Sequence, residues 1–144
     1  MELSQFTDYS LRVLIFAGLS DRLVSVPEIA ETYQISQHHL VKVVHHLSKH
    51  GFLDTFRGRG GGFRLAKGPS TFTISDVVRS TENLALVECL SSGGGQCCLA
   101  GCCTLKTALV KARQAFLEVL DGYTIADLLL PRSALRQALS LNEA

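Results

Sequence analysis

No stretch of the sequence approaches the roughly 18 uncharged apolar residues of a membrane span, and its start, MELSQFTDYSLR, has no basic segment leading into an apolar core. These absences predict a soluble, cytoplasmic protein with no membrane partner. Also missing are a Gly-Lys-Ser/Thr sequence, a Gly-rich cofactor fingerprint, a Cys/His pair at motif spacing and a carboxylate dyad, which argues against an enzyme. The Cys-x-x-Cys pairs of structural zinc sites do not occur, and no histidine lies beyond His50. At 144 residues and 47% hydrophobic composition, the chain is sized for one core, or a small domain with a helical extension.

The near-neutral total, +1, conceals an asymmetry: residues 36–67 carry Lys42, Lys49, Arg57, Arg59, Arg64 and Lys67 against Asp54 alone. Such a cluster suits a polyanion, or is a solvated face with no partner. The surrounding pattern favours nucleic acid. Apolar residues recur at helical spacing from Leu3 to Leu19, with Ser4 or Thr7 as a cap, and Asp21–Val24 reads as a connector. Ser25-Val-Pro-Glu28 combines an N-cap, an early proline and a capping box for a short second helix ending near Tyr33. After the turn Gln34-Ile-Ser36, a third helix capped by Ser36 runs to about His50, and Gly51 stops it. This is a helix-turn-helix arrangement.

At 100° per residue the third helix places Leu40, Val43, Val44 and Leu47 inward, and His38, Lys42, His45 and Lys49 outward. Gln37, His38, His39, Lys42 and His45 are the expected base readers or their neighbours, and Lys49 the expected phosphate contact. The repeats His38/His45 and His39/His46 are both expected on this DNA-facing side; the alternatives are ordinary exposed histidines or a histidine-rich metal site without a carboxylate. Two short strands, Phe52–Phe56 and Gly62–Leu65, flank Arg57-Gly-Arg59-Gly-Gly. Arginines suit a narrow minor groove, and glycines let backbone approach phosphates, so this hairpin reads as a wing. A nucleotide phosphate loop is the rival, but no helix starts after the run.

A fourth helix is expected over residues 74–82, capped by Thr73 or Ser75, followed by an irregular segment holding all five cysteines: Cys89, Cys97, Cys98, Cys102 and Cys103. An odd number so tightly bunched is a poor disulfide framework, and thiolates suit zinc or iron–sulfur clusters. The spacings Cys89-x₇-Cys97 and Cys97-x₅-Cys103 fit a larger cluster better than a compact zinc knuckle, with zinc remaining open. From Thr104, Leu105, Ala108, Leu109, Ala112, Phe116, Val119 and Leu120 share one helical face, while Val110 and Leu117 lie well round from it. A helix apolar on two sides needs two packing partners. Gly122 ends it, a short helix follows over 125–130, and Pro131 closes that one.

As a set, Leu3-Ser-Gln-Phe-Thr-Asp8-Tyr-Ser-Leu-Arg12, Arg57-Gly-Arg-Gly-Gly-Gly62, Ile74-Ser-Asp-Val-Val-Arg79, the Cys…Cys-x₅-Cys run into Leu105-Lys-x-Ala-Leu109, and Phe116-Leu-x-x-Leu-Asp-x-Tyr-Thr-Ile-Ala-Asp-Leu128 resemble the winged-helix iron–sulfur regulators, most of all their nitric-oxide-sensing repressors. The likeness covers nearly the whole chain. It implies a mainly α protein with a small β wing: a winged helix-turn-helix over 1–82, a cluster-binding loop over 83–103, a dimerisation helix and short helix over 104–131, and a weakly ordered tail over 132–144. It further implies a homodimer on double-stranded promoter DNA, nitric oxide as signal, and an iron–sulfur cluster, 4Fe–4S favoured over 2Fe–2S. The family's ligands fall on Cys89, Cys97 and Cys103, leaving Cys98 and Cys102 as extra thiols. Regulators of iron–sulfur assembly carry a histidine three residues after the last cysteine, where this chain has Lys106. The resemblance points instead to Asp8, reaching the partner's cluster, with Glu88 as a third candidate. The other reading of Asp8 is a helix-start carboxylate stabilised by the dipole. Zinc with thiol oxidation at Cys98 and Cys102, or a cluster sensing redox or iron status, remains the alternative function.

Overall fold

The computed structural model describes residues 2–94 and 97–141. Helix α1 (Gln5–Leu19) starts where Ser4 Oγ accepts the Thr7 N–H at 3.3 Å, and it buries Val13, Leu14, Phe16, Ala17 and Leu19. It packs against most of the fold: the third and fourth helices, the wing and the short sixth helix. Helix α2 (Val26–Tyr33) has Pro27 in its first turn but no side-chain cap from Ser25. The capping box expected there is half formed: the Glu28 carboxylate accepts the Ser25 N–H while also pairing with Arg22 across the connector, but the Ser25 hydroxyl makes no return bond. Gln34 takes a left-handed conformation at φ 55° and turns the chain into α3 (Gln37–Lys49). Ser36 occupies the N-cap position of α3 without a side-chain bond. At the far end Gly51, at φ 76°, lets the Phe52 N–H return to Leu47 O at 2.9 Å, the glycine stop anticipated from sequence.

The wing pairs β1 (Leu53–Phe56) antiparallel with β2 (Gly62–Leu65), in the register Leu53↔Leu65, Asp54↔Arg64, Thr55↔Phe63 and Phe56↔Gly62. The connector does more than link helices, because Val24 and Phe63 exchange both backbone hydrogen bonds at 2.9 Å and Val24 is buried.

Helix α4 (Ile74–Thr81) and the single-turn α6 (Ile125–Leu128) each begin with a capping box, Thr73 with Asp76 and Thr124 with Asp127. The two starts lie side by side, joined by Ile74 N–H to Tyr123 O at 2.8 Å and Ile125 N–H to Phe72 O at 2.9 Å. Between them in sequence runs α5 (Thr104–Asp121), which packs on α4. Ile125 joins the core formed by α1, α2, α3 and the wing. Gly18 makes room where the end of α6 approaches α1, since a Cβ there would stand 2.6 Å from Leu129 Cδ1 and the leucine would have to turn aside. The expected weakly ordered tail is corrected over its first half: Arg132–Ala138 is a helix, α7. It is held because α1 lacks a basic last turn, and Arg136 and Arg132 supply one by donating to Leu19 O at 2.7 and 3.3 Å. Among the described residues, no helix is long and apolar enough to cross a membrane.

Candidate nucleic-acid interface and cysteine segment

The candidate recognition face of α3 follows from its inward face. Leu40, Val43, Val44 and Leu47 are 0–8% exposed, which fixes the helix rotation and turns Gln37, His38, His39, Lys42, His45 and Lys49 to solvent. His39 leans toward Tyr9, ring centroids 6.5 Å apart, and lines a shallow groove with Lys42, Gln5 and Phe6. His46 is not on this face. It is half-buried against α1 and α4, edge-on to Phe6 at 5.2 Å and with Nε2 3.4 Å from Ser80 Oγ, so the expected outward His39/His46 repeat is corrected. The reason is geometric: position 46 falls at the border between the two faces, where the neighbouring helices cover it. Burial pushes the His46 imidazole below its usual range, and the stacked His50, at 4.0 Å, adds to that push. Val41, which sequence reasoning passed over, is 55% exposed between Gln37 and His45.

In the wing, Arg57 and Arg59 are exposed at the tip, alternating with Gly58 and Gly60, which take left-handed conformations at φ 96° and 76°. The sequence reading gave the glycines to phosphate approach. In the structure Gly61 and Gly62 serve the wing's own backbone, for a Cβ would meet Phe56 O at 2.3 Å or Val24 O at 2.4 Å. Arg64 lays its guanidinium over the Phe56 ring at 5.0 Å.

Asp8, on the first turn of α1, is clasped by Arg12 one turn later through Nη2–Oδ2 at 2.8 Å and Nε–Oδ1 at 3.1 Å. The same guanidinium lies 5.6 Å from the Tyr33 ring, and its pKa is raised chiefly by the Asp8 bond. Beside it stands a residue the sequence did not single out. Glu82, capping the end of α4, accepts from the Ser4 N–H at 2.6 Å, Ser4 Oγ at 2.8 Å and the buried Thr7 hydroxyl. Partial burial pushes the Glu82 carboxyl up, but the bonds from Thr7 and Ser4 outweigh it and hold it below the usual carboxylate range. A contact spanning 78 residues leaves no local signal in sequence.

The cysteine segment leaves α4 immediately after Glu82. Cys89 sits in a single 3₁₀ turn, Glu88–Leu90, and is half-buried, as is Cys103; Cys97, Cys98 and Cys102 are exposed, and all five thiols are free. Two linked turns, Ala100 N–H to Cys97 O at 3.1 Å and Cys102 N–H to Leu99 O at 3.0 Å, carry the chain to α5. There Cys103 is the N-cap, its Sγ accepting the Lys106 N–H at 3.4 Å. An anionic sulfur ligand is well placed at a helix N-terminus. Among the described residues no three His, Cys, Asp or Glu side chains converge on a metal position. Cys89, Cys97, Cys103 and Asp8 therefore form no such group, and Glu88 is exposed. The chemistry of the donors, soft free thiols bunched in a surface loop, fits an iron–sulfur cluster.

Helix α5 covers its two apolar faces unequally. Leu117, from the smaller stripe, is its buried residue, at 2% exposure, while the larger stripe leaves Leu105 and Val119 each 63% exposed.

A family model described as Rrf2, iron-dependent transcriptional regulator, matches residues 3–131. The chain is 49% identical over 142 residues to the HTH-type transcriptional regulator NsrR of Geobacillus kaustophilus, covering 96% of this chain and 97% of that protein. It is 43% identical over 146 residues to NsrR of Bacillus subtilis, covering 99% and 100%. Among solved structures, CymR, the global cysteine regulator of B. subtilis, superposes with a TM-score of 0.70 at 28% identity, covering 89% of this chain and 95% of that one. IscR of T. potens superposes with a TM-score of 0.71 at 23% identity over 100% of this chain and 93% of that one, which speaks for the fold alone.

Proposed function

This chain belongs to the Rrf2 family of iron-dependent transcriptional regulators, and from that premise we propose that it is a nitric-oxide-responsive repressor. It holds promoter DNA as a homodimer while an iron–sulfur cluster is intact, and releases it on nitrosylation. The observation that carries the DNA-binding part is the juxtaposition of an exposed reader face, Gln37, His38, His39, Lys42, His45 and Lys49, with a wing tipped by Arg57 and Arg59. The helix face suits base edges in the major groove, and the arginines suit the adjacent minor groove. The proposed setting is the cytoplasm, and the proposed role is not enzymatic.

Dimerisation is assigned to the uncovered stripe of α5 around Leu105 and Val119. Cys89, Cys97 and Cys103 are the proposed cluster ligands, and Asp8 of one protomer the ligand offered to the other's cluster. When bound, a 4Fe–4S cluster would supply iron that reacts with nitric oxide and a tie between the two protomers. The chain's own part is positioning. Cys103 is set by the start of α5, and Asp8 is held by Arg12 until a competing charge claims it. Glu82 fastens the root of the cysteine segment to the turn of α1 that carries Asp8. Since α3 packs along α1, a change in the tie reaches the reader face through one rigid element.

The exposed Cys98 and Cys102 favour a second reading, in which a structural zinc is held and thiol oxidation is the signal. Anaerobic absorbance with iron and sulfide analysis separates the two, followed by stepwise nitric oxide while DNA binding is monitored. The sensor reading expects a brown protein whose visible absorbance bleaches as DNA is released; a colourless zinc protein indifferent to nitric oxide overturns it. Replacing Cys97 or Cys103 by alanine is expected to abolish cluster binding with the fold retained, as judged by iron content and circular dichroism, whereas Cys98→Ala keeps its iron.

A further inference from the structure

The proposed DNA-binding face of α3 contains one side chain with no polar atom, and its position is central. Val41 follows Gln37 by one helical turn and precedes His45 by another, and His38 and Lys42 flank it, so the five make one continuous patch. The inward residues Leu40, Val43, Val44 and Leu47 are buried, whereas Val41 is 55% exposed and has no place in the core. Its neighbours one turn away and alongside on this face, Gln37, His38, Lys42 and His45, are all polar. A β-branched residue is also slightly unfavourable in an exposed helical position, where alanine would do better. Resting on the reading of α3 as the recognition helix, we propose that Val41 is a specificity-determining residue that reads a thymine in each half-site through the base's C5 methyl group.

The chemistry is particular. In the major groove thymine presents an O4 acceptor and a methyl group, and the methyl is the one apolar feature any base pair shows there. Gln37, His38 and His45 can donate to or accept from base edges and Lys42 can donate, but each ends in a polar group rather than a branched apolar one that gains by covering a methyl. Val41 does, and its branched side chain holds a strongly preferred χ1 rotamer in a helix, so its two methyls are presented in a fixed direction with little entropy left to lose. Its site in the second turn of α3 is within the N-terminal half, the part of a recognition helix that meets base edges. The polar neighbours would then fix the register of the duplex, and Val41 would discriminate thymine from cytosine at a position where hydrogen bonding alone leaves the choice weak.

The test uses the cluster-loaded full-length protein under anaerobic conditions and a duplex enriched by it from a random pool. Each thymine of the half-site is replaced in turn by deoxyuridine, which pairs identically and lacks only the methyl. Wild-type protein is expected to lose about fourfold per half-site at one thymine, hence about fifteenfold when both half-sites are changed, the equivalent of one buried methyl each. Val41→Ala is expected to bind the thymine duplex about as weakly as wild type binds the deoxyuridine duplex, and to be indifferent to that replacement. Val41→Thr, which keeps one methyl, should retain the sensitivity in part. The proposal is overturned if no thymine replacement matters to the wild type, or if Val41→Ala remains as sensitive as wild type. If no duplex is enriched at all, the DNA-binding reading fails first and this inference with it, a result distinguishable from normal binding without methyl sensitivity.

Discussion

His46 and Glu82 lie near one another where the start of α1 meets the end of α4, His46 reaching in from α3, and both have their charge state set by that junction. The His46 pKa is depressed from 6.5 by burial and by its cationic neighbours His50, Lys49 and His45. A depressed histidine favours folding fully above its unfolded value, and that stability drains as pH falls through and below about 6.5, because the unfolded chain takes up the proton first. Glu82 is likewise depressed, from 4.5, with the hydrogen bonds from Thr7 and Ser4 outweighing its burial, so its contribution is present at neutral pH and is lost only as pH falls through the carboxylate range. Two acid-side losses in separate windows follow. Thermal unfolding is expected to show a drop in Tm between pH 7.5 and 5.5 that His46→Gln reduces, and a further drop below about pH 4.5 that Glu82→Gln reduces. Glu82→Ala should also cost about 1–3 kcal/mol at pH 7, because the Thr7 hydroxyl loses an anionic acceptor; an unchanged midpoint in chemical denaturation would mean the junction does not hold the two helices together.

Individual elements show which features of the fold were legible in the chain and which were not. The inward stripe of α3, the hairpin ends and the start of α5 were all readable, because periodicity, caps and glycines act within a few residues of where they are written. His46 was misread, since a wheel gives a face but not which neighbours reach its border. The role of Gly61 and Gly62 was also hidden, because their constraint comes from Phe56 and Val24, folded back on them. Gly62→Ala forces a Cβ to 2.4 Å from Val24 O and should cost about 1–3 kcal/mol while splaying the wing, with DNA affinity falling more than global stability; normal affinity in that variant would show that the wing tolerates the shift. Helix α5 gave away its two faces in sequence but not which one the protomer covers. Leu117 packs inside, so charge at Leu105 and Val119 should leave the protomer folded. Leu105→Glu with Val119→Glu is expected to yield a monomer in sedimentation equilibrium with an unchanged circular dichroism spectrum and weakened operator binding; a dimer that survives both changes places the seam elsewhere.

At the scale of the whole molecule, the near-neutral total charge makes attraction to DNA a matter of distribution. The chain leaves Lys42, Lys49, Arg57 and Arg59 exposed on α3 and the wing, and holds Asp21, Glu28 and Asp121 in ion pairs with Arg132, Arg22 and Arg79 respectively. Pairing those acids with arginines keeps them from cancelling the charge of the proposed DNA-facing side. The proposed homodimer would offer that set twice. If all of it meets phosphates, the logarithm of the binding constant should fall with the logarithm of salt concentration at a slope of about −7, each contact contributing about −0.9. Arg59→Gln, counted once per protomer, should then reduce the slope by about 2 units and weaken all sequences alike, whereas His38→Ala should leave the slope intact and relax sequence preference. A slope near −3 or −4 would mean that only one protomer engages the duplex at a time. In that case a change in the spacing between protomers could not loosen both half-sites together, and the clamp on which the proposed release depends would have to act within a single chain.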